Sequence, residues 1–219
     1  MVVLLRPPGV YRAQGDTALL VEVLGQGSYA AGRHVLDIGT GTGALAMAAA
    51  RAGAASVCAV DLSMRSVIAT WVNSRLEGVR VSVRRGDLFA PVGDRRFDLI
   101  IANPPYVPAE TAVLPRYRMG RCWDAGRDGR AILDRICAGA ATRLTDDGTL
   151  LLVHSAVCNE EHTIARLAEV GLAGEVIERG RVPFGPVMRT RKALLESRGL
   201  LEPGQTVEEL VVVRARCVG

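Results

Sequence analysis

The chain has little of several features that would point to particular classes of protein. Aromatic residues make up only 4% of its 219 residues, so a Tyr or Trp inside a motif stands out. No apolar run reaches the ~18 residues of a membrane-spanning helix, because the best candidate, residues 44–60, is interrupted by Arg51 and Gly53. The apolar stretch at residues 1–5 is too short for a signal peptide. These absences predict a cytoplasmic protein without a membrane segment.

Metal-binding patterns and lysine are also scarce. The five cysteines include no C-x-x-C pair, so we expect reduced thiols and no bound metal. Lys192 is the only lysine among 27 basic residues, and Arg abundance alone is therefore weak evidence of function. Positive charge is instead concentrated at residues 111–130 and 181–198, with net charges of +3 and +4. About half of such charge runs are only solvated faces, but the first could also contact an anionic substrate.

What is abundant is an alternation of short β-branched runs and longer helical patterns, which predicts one α/β domain with a parallel sheet. The composition, 49% hydrophobic and 23% charged, is that of a globular protein. The predicted strands are residues 35–38, 56–60, 79–83, 99–102, 149–154, 175–181 and 209–216. The predicted helices are residues 16–24, 43–51, 64–76, 130–144, 160–170 and 187–197.

The sharpest local signal is residues 35–43, V-L-D-I-G-T-G-T-G, where an apolar strand runs into alternating glycines and then an alanine-rich helix. Glycine lets a backbone turn tightly and pass close to a ligand. The G-x-G-x-G spacing differs from the G-x-G-x-x-G of dinucleotide sites and resembles motif I of class I S-adenosylmethionine-dependent methyltransferases. The cofactor-binding residues predicted in this motif are Asp37, Gly39, Thr40, Gly41 and Gly43.

Acidic residues also follow the next two predicted strands. Asp61, followed by Leu62, ends the second strand, where a carboxylate can accept both hydroxyls of a ribose. Asp87 and Leu88 follow the third strand, where the carboxylate can accept from the amino group of adenine. A single such Asp could equally be a helix N-cap or a turn residue. Three acids after three successive strands favour a cofactor site.

The decisive motif is Asn103-Pro104-Pro105-Tyr106, which follows the fourth predicted strand. The two prolines stiffen the chain, so the Asn103 side-chain oxygen and the Pro104 carbonyl can accept both N–H bonds of a planar amide or amine. Tyr106 can pack on the face of that group. Two aligned acceptors favour the increasingly positive nitrogen of a methyl-transfer transition state. These four residues are the predicted catalytic residues, and Asn103 is also expected to border the cofactor.

The N-P-P-Y motif behind motif I resembles amino-methyltransferases that act on glutamine side chains, adenine N6 or guanine N2. Residues 123–130, W-D-A-G-R-D-G-R, resemble the G-G-x-D-G segment of HemK-type glutamine N5-methyltransferases of translation release factors, with Ala125 replacing the first glycine. The likeness is strongest to the short branch known from eukaryotes and archaea. It covers roughly residues 10–180. Motif I begins at Val35, which leaves too little chain for the helical substrate domain of the longer bacterial enzymes.

The resemblance implies an α/β, Rossmann-like, seven-stranded and mostly parallel sheet with helices on both faces and an antiparallel last strand. It implies a single S-adenosylmethionine-dependent methyltransferase domain over residues 1–219, with an N-terminal lid at residues 1–33. Gln14, Asp16 and Thr17 belong to an entry motif that lines the donor's methionine end, where Ala13 and Gly15 replace its Pro and Glu.

Two further segments are singled out by the resemblance. A small zinc-ribbon partner pairs with the third, edge strand in this branch, which points to residues 79–84 here, although Arg80 and Arg84 could equally protect the edge. Residues 183–203 exceed the hairpin expected before the last strand, and their basic helix is a predicted substrate-recognition element.

The sequence thus predicts an enzyme that transfers a methyl group from S-adenosylmethionine to a planar nitrogen, foremost a glutamine amide of a protein such as a release factor. The alternative is a nucleic-acid methyltransferase that uses the same clamp on adenine N6 or guanine N2. A third hypothesis is a non-catalytic donor-binding protein, which would be expected to have a broken clamp or motif I, and neither is broken here.

Overall fold

The computed structural model describes residues 4–11, 14–111 and 124–218, which contain one seven-stranded sheet of order β3-β2-β1-β4-β5-β7-β6. The strands are β1 (His34–Ile38), β2 (Ser56–Asp61), β3 (Ser82–Arg85), β4 (Phe97–Ala102), β5 (Leu144–Ser155), β6 (Leu172–Pro183) and β7 (Val207–Cys217). The helices are α1 (Gly15–Gln26), α2 (Ala44–Arg51), α3 (Met64–Leu76), α4 (Leu133–Ala140), α5 (Glu160–Ala168) and α6 (Pro186–Ser197).

The sheet topology confirms the predicted fold class. Strands β1 to β5 pair in parallel, whereas β7 runs antiparallel to both of its neighbours, β5 and β6. The carboxyl ends of the parallel strands therefore lie at one edge of the sheet. Because β7 runs in the opposite direction, its first residues lie at the same edge.

Alternation along the central strands builds a core on each face of the sheet, because successive strand residues point to opposite sides. Leu99 and Ile101 pack with side chains of α1 and α2. Ile100 and Ala102 pack with side chains of α4, α5 and α6. Burying one such large aliphatic side chain contributes roughly 1.5 to 3 kcal/mol, so the two layers hold the strand ends firmly in register. Helices on both faces are as predicted.

Several elements differ in their bounds from the sequence prediction, and β5 and β6 extend beyond the predicted residues 149–154 and 175–181. The third strand was predicted at residues 79–83 but lies at Ser82–Arg85, because Gly78 adopts a left-handed conformation and the Val79 amide donates back to Ser74 at the end of α3. The β2 register then places Ser82 beside Cys58. The helix predicted from residue 130 begins at Leu133, and a short 3₁₀ turn follows it. The edge position of this third strand is as expected.

The segment at residues 183–203 is integrated into the fold. Its helix, α6, buries Met188 and Leu195 in the same core as α4 and α5. Removing the segment would therefore expose apolar core surface. In the described part of the chain, none of the helices has both the length and the apolar character that a membrane span requires.

Candidate active site

The glycine loop after β1 presents an open backbone surface. Gly39 and Gly41 have left-handed φ angles of 72° and 57°, and a Cβ at either position would meet no neighbour closer than 3.9 Å. The amides of Gly39 and Thr40 donate to the Val60 carbonyl at 2.9 and 3.1 Å, which holds the loop against β2. The conformation therefore favours glycine while the space above it stays free.

Asp37 supports this loop from beneath. Its side chain is 0% exposed, and one carboxylate oxygen accepts from the Thr40 hydroxyl at 2.6 Å and the Ala46 amide at 3.1 Å. The other oxygen, Oδ1, is buried without a hydrogen-bond partner among the described residues. Burial is the main reason that the pKa of Asp37 rises to about 7. Asp37 thus lies under the loop rather than on its open face.

The acids after β2 and β3 lie at the same sheet edge. Asp61 accepts from the Gly41 amide at 3.0 Å and the Ser63 amide at 2.8 Å, so it ties the glycine loop to the start of α3. Leu62 beside it is 40% exposed. Asp87 accepts from Arg135 at 2.7 Å, and Leu88 follows with a left-handed φ of 47°. The turn contact expected of such an acid is therefore present at Asp61, and a carboxylate oxygen can accept more than one hydrogen bond.

These features fit the donor that motif I implies. The open surface above Gly39 and Gly41 is a cradle that a Cβ would fill, and the unpartnered oxygen of Asp37 lies beneath it. The Asn103 carbonyl oxygen, 4.0 Å from a Cβ built on Gly39, is the nearest atom to that position. A nucleoside held at this edge would therefore extend directly to the residue that follows β4.

The side chain of Asn103 is oriented by a chain of hydrogen bonds from α1. Its amide nitrogen donates to the Thr17 hydroxyl at 3.1 Å, and that hydroxyl donates to Asp16 Oδ1 at 3.3 Å. Because the Thr17 proton is directed at Asp16, Thr17 can only accept from Asn103. The Asn103 amide NH₂ therefore faces Thr17, and its side-chain oxygen is left to accept from another group.

The Tyr106 side chain is anchored through its hydroxyl, which the sequence did not reveal. Its hydroxyl donates to Asp16 Oδ2 at 3.1 Å, and the Tyr11 hydroxyl donates to the same oxygen at 2.6 Å. The side chain is 8% exposed, and burial together with the charge of Asp16 raises its pKa well above the usual value. From the sequence, only the ring of Tyr106 was expected to have a role. The hydroxyl also contributes, because it holds Asp16 beside the clamp.

The G-x-D-G segment packs directly beneath N-P-P-Y. A Cβ on Gly129, whose φ is 79°, would lie 2.3 Å from the Tyr106 carbonyl oxygen. The Cys158 thiol donates to that same oxygen at 3.0 Å. Backbone bonds from Ala109 to Gly126 and from Ala125 to Val107, at 2.7 and 3.2 Å, pair the two segments. Pro104 is buried and Pro105 is half-buried.

Helix α6 braces the same loop with its basic side chains. Arg191 donates to the Pro108 carbonyl at 3.0 Å and forms an ion pair with Asp124. Arg198, just after the helix, donates to the carbonyls of Ala109 and Arg127 at 2.9 and 3.1 Å. These two arginines are engaged in structural contacts rather than being directed at solvent.

The remaining predicted positions lie at the start of α1 or outside the described residues. Gln14 precedes α1 and is exposed, and its side-chain oxygen lies near Gly185 at the start of α6. A Cβ on Gly15 would lie 2.6 Å from Val182 of β6, which accounts for a small residue at this departure from the entry motif. Ala13, Trp123 and three arginines of the basic window, Arg116, Arg118 and Arg121, lie outside the described residues.

Glu208 is a residue that the sequence analysis missed. It is the second residue of β7, is 6% exposed, and lies close to Asp16, Tyr106 and Ser155. The available signal was the pair Glu208-Glu209 at the start of an apolar strand, where alternation directs one acid to each face. Among the described residues, no group of three or more His, Cys, Asp or Glu side chains is arranged to hold a metal ion.

Comparison with protein families and relatives identifies the class of the chain. The model of the methyltransferase small domain matches residues 2–115. A protein of Methanocaldococcus jannaschii named "Putative protein N5-glutamine methyltransferase MJ0928" is 34% identical over 83% of this chain and 90% of its own length. The ribosomal protein uL3 glutamine methyltransferase of Bradyrhizobium diazoefficiens is 46% identical over 54% of this chain, but over only 39% of its own length.

Two further comparisons agree with this class. The release factor glutamine methyltransferase of Geobacter sulfurreducens is 34% identical over 75% of this chain and 59% of its own length. The chain therefore spans most of the archaeal relative but about half of these two bacterial relatives. In fold, the chain resembles the E. cuniculi Mtq2-Trm112 complex, described as responsible for methylation of the eRF1 termination factor, with a TM-score of 0.66, 20% identity, and coverage of 96% and 99%. The chain belongs to the methyltransferase small-domain family and, within it, to the HemK-type glutamine N5-methyltransferases, which use S-adenosylmethionine as methyl donor.

Proposed function

We propose that this chain transfers a methyl group from S-adenosylmethionine to the side-chain amide nitrogen of a glutamine in a protein. The observation that carries the proposal is the orientation of Asn103, whose amide NH₂ is held by Thr17 so that its oxygen is left as an acceptor. That oxygen and the Pro104 carbonyl can accept the two N–H bonds of a primary amide. The arrangement lies directly beyond the open surface of the glycine loop.

Methyl transfer requires the protein mainly to position the reactants and to stabilise the developing charge. S-adenosylmethionine, when bound, supplies a methyl group activated by a sulfonium. Transfer would break the methyl–sulfur bond, leave its electron pair on sulfur and form a carbon–nitrogen bond. The nitrogen would then release one proton to water. An amide nitrogen is a poor nucleophile because its lone pair is delocalised. Two fixed acceptors favour the pyramidal, more positive nitrogen of the transition state, and Tyr106 limits the movement of the loop that carries them.

The acceptor that we propose is a translation release factor, and this refinement is supported by the relatives. The Geobacter sulfurreducens relative is named for release factors, and the E. cuniculi complex is described as acting on eRF1. The uL3 relative indicates that a ribosomal protein is the main competing protein substrate. A release factor acts at ribosomes, so the proposal also implies a cytoplasmic enzyme.

The test is to incubate the purified chain with tritiated S-adenosylmethionine and total cell lysate, and then to treat separate portions with protease or nuclease. We expect only protease to release the label, and digestion of the labelled protein to yield N5-methylglutamine by mass spectrometry. Release by nuclease alone would instead support the adenine or guanine alternative. Donor binding without any labelled product would support a non-catalytic protein.

We further infer a small zinc-ribbon partner at the edge strand β3. This edge is unpaired on its outer side in the sheet order of the described residues. Beside it, α3 presents a row of half-exposed apolar side chains at helical spacing, namely Met64, Ile68 and Trp71. An edge strand flanked by an apolar row is suited to pairing with a second chain. Arg84 contacts Pro91, which is compatible with its alternative role in edge protection.

A further inference from the structure

Glu208 is a buried acid that the proposed chemistry has not used. Its side chain is 6% exposed, and its Oε1 atom has no hydrogen-bond partner among the described residues. Ser155, the last residue of β5, lies near this carboxyl and opposes the rise in its pKa. Ser155 lies opposite Leu210 in the β5–β7 register, so Glu208 lies at the same sheet edge as the acceptor clamp. Leaving a carboxylate oxygen buried and unpaired is costly unless a ligand engages it.

Among the described residues, the neighbours of Glu208 add negative rather than positive charge. Asp16 of α1, Tyr106 of the loop after β4 and the Cys158 thiol interact electrostatically with it. Burial, and then the charge of Asp16, raise the pKa of Glu208 to about 7. The interactions identified for this carboxyl therefore include no cation that balances its charge. A positively charged ligand would compensate for both the unpartnered Oε1 atom and the unbalanced negative charge.

The sulfonium that carries the transferable methyl group would bring a positive charge to this part of the site. The methyl must face Asn103, and the sulfonium is one bond away from it. Asn103 is hydrogen-bonded to Thr17, Thr17 to Asp16, and Asp16 to Tyr106 beside Glu208. With the donor bound in this way, the two buried acids, Asp16 and Glu208, would lie near the sulfonium. Loss of the methyl group converts the sulfonium to a neutral thioether.

We propose that Glu208, together with Asp16, recognises the positive charge of the methyl donor, so that the site prefers the sulfonium donor to its neutral thioether product. The inference rests on the donor assignment but not on which protein is methylated. It gives Glu208 a specificity role toward the donor, and it explains how a site in which donor and product share nearly all atoms would favour exchange of product for donor.

The test compares S-adenosylmethionine with S-adenosylhomocysteine by titration calorimetry on the full chain. In Glu208→Gln, which keeps size and hydrogen bonding, we expect the preference for donor over product to fall about tenfold relative to the unmodified protein, mainly through weaker donor binding. Glu209→Gln is the matched control. Glu209 lies on the same strand and pairs with Arg179 at 2.7 Å, so the preference should not change.

A second readout uses only the unmodified protein. At pH 7 about half of a carboxyl with a pKa of about 7 is protonated, so a bound cation should expel part of that proton and a neutral ligand should not. Calorimetry in buffers of different ionisation enthalpy should show more proton release with donor than with product. Equal proton release, or an unchanged preference in Glu208→Gln, would overturn the inference. Both results are independent of the acceptor, so the proposed glutamine transfer is tested separately.

Discussion

Single side chains in this site act through one connected set of hydrogen bonds. Thr17 turns the Asn103 amide, Asp16 receives the hydroxyls of Thr17, Tyr11 and Tyr106, and the Tyr106 carbonyl is held by Cys158. The acceptor atoms of the clamp are thereby fixed before any substrate arrives. Fixed acceptors contribute more to a transition state than mobile ones, because no reorganisation is needed at the moment of reaction.

Replacing Asn103 separates methyl transfer from donor binding. Asn103→Ala should fold and bind S-adenosylmethionine normally, because it keeps the backbone carbonyl of residue 103 that borders the glycine loop, and the other predicted donor contacts come from other loops. Transfer should fall by about 100- to 1000-fold, as for other lost transition-state hydrogen bonds. Single-turnover rates on the labelled protein measure this effect. A variant within a few-fold of the unmodified enzyme would show that N-P-P-Y is only a turn here.

Residue-scale prediction succeeded where the backbone dictates the residue type. Gly39 and Gly41 have the left-handed φ angles and open surface that their spacing indicated, and Asn103 follows β4 as expected. The Tyr106 hydroxyl and Glu208 escaped prediction because their partners lie far away in the chain. The Asp16–Tyr106 bond spans 90 residues, and no local pattern encodes such a pairing.

At the scale of secondary-structure elements, α6 supports the loop after β4 in addition to carrying basic side chains. Its buried Met188 and Leu195 fix it to the core, and Arg191 and Arg198 then hold the loop that carries the acceptor clamp. The sequence located this helix within one residue of its start, because its apolar spacing is clear. The targets of its arginines could not be read from charge alone. Substrate recognition by this segment stays a prediction, and deletion is a poor test because it would open the core.

A point variant tests the brace instead. Arg198→Ala removes donors to the carbonyls of Ala109 and Arg127, so the paired segments around them should open more often. We expect hydrogen exchange at the Ala109 and Ala125 amides to accelerate about tenfold or more, with donor affinity unchanged and transfer reduced. Arg189→Ala is the control, because Arg189 is exposed on α6 without an ion pair or side-chain hydrogen bond among the described residues. Equal hydrogen-exchange rates at these amides in both variants would contradict the stabilising role of Arg198.

At the scale of the whole molecule, the site places ionisable groups where they do not stabilise the fold. Asp37 and Glu208 each have a buried oxygen that has no hydrogen-bond partner among the described residues, and burial raises the pKa of each to about 7. The sheet order and the two apolar layers supply the stability that tolerates them. The sheet itself was predictable, because strand alternation specifies a parallel α/β architecture. The buried charges were not, since they are set by the assembled layers.

Glu208→Gln should therefore stabilise the ligand-free protein in a manner that depends on pH. The folded-state pKa of about 7 lies above the ordinary Glu value of 4.5, so ionisation favours the unfolded chain. The resulting penalty is absent below pH 4.5, grows as the pH rises through this window, and is complete above pH 7. The difference corresponds to about 3 kcal/mol at most. Urea unfolding at pH 5 and pH 8 should show a small advantage of the variant at pH 5 and a clearly larger one at pH 8, whereas Glu209→Gln should show no such growth. A variant whose stability relative to the unmodified protein is the same at both pH values would mean that Glu208 is not buried as an uncompensated acid, and it would remove the physical basis for its role in charge recognition.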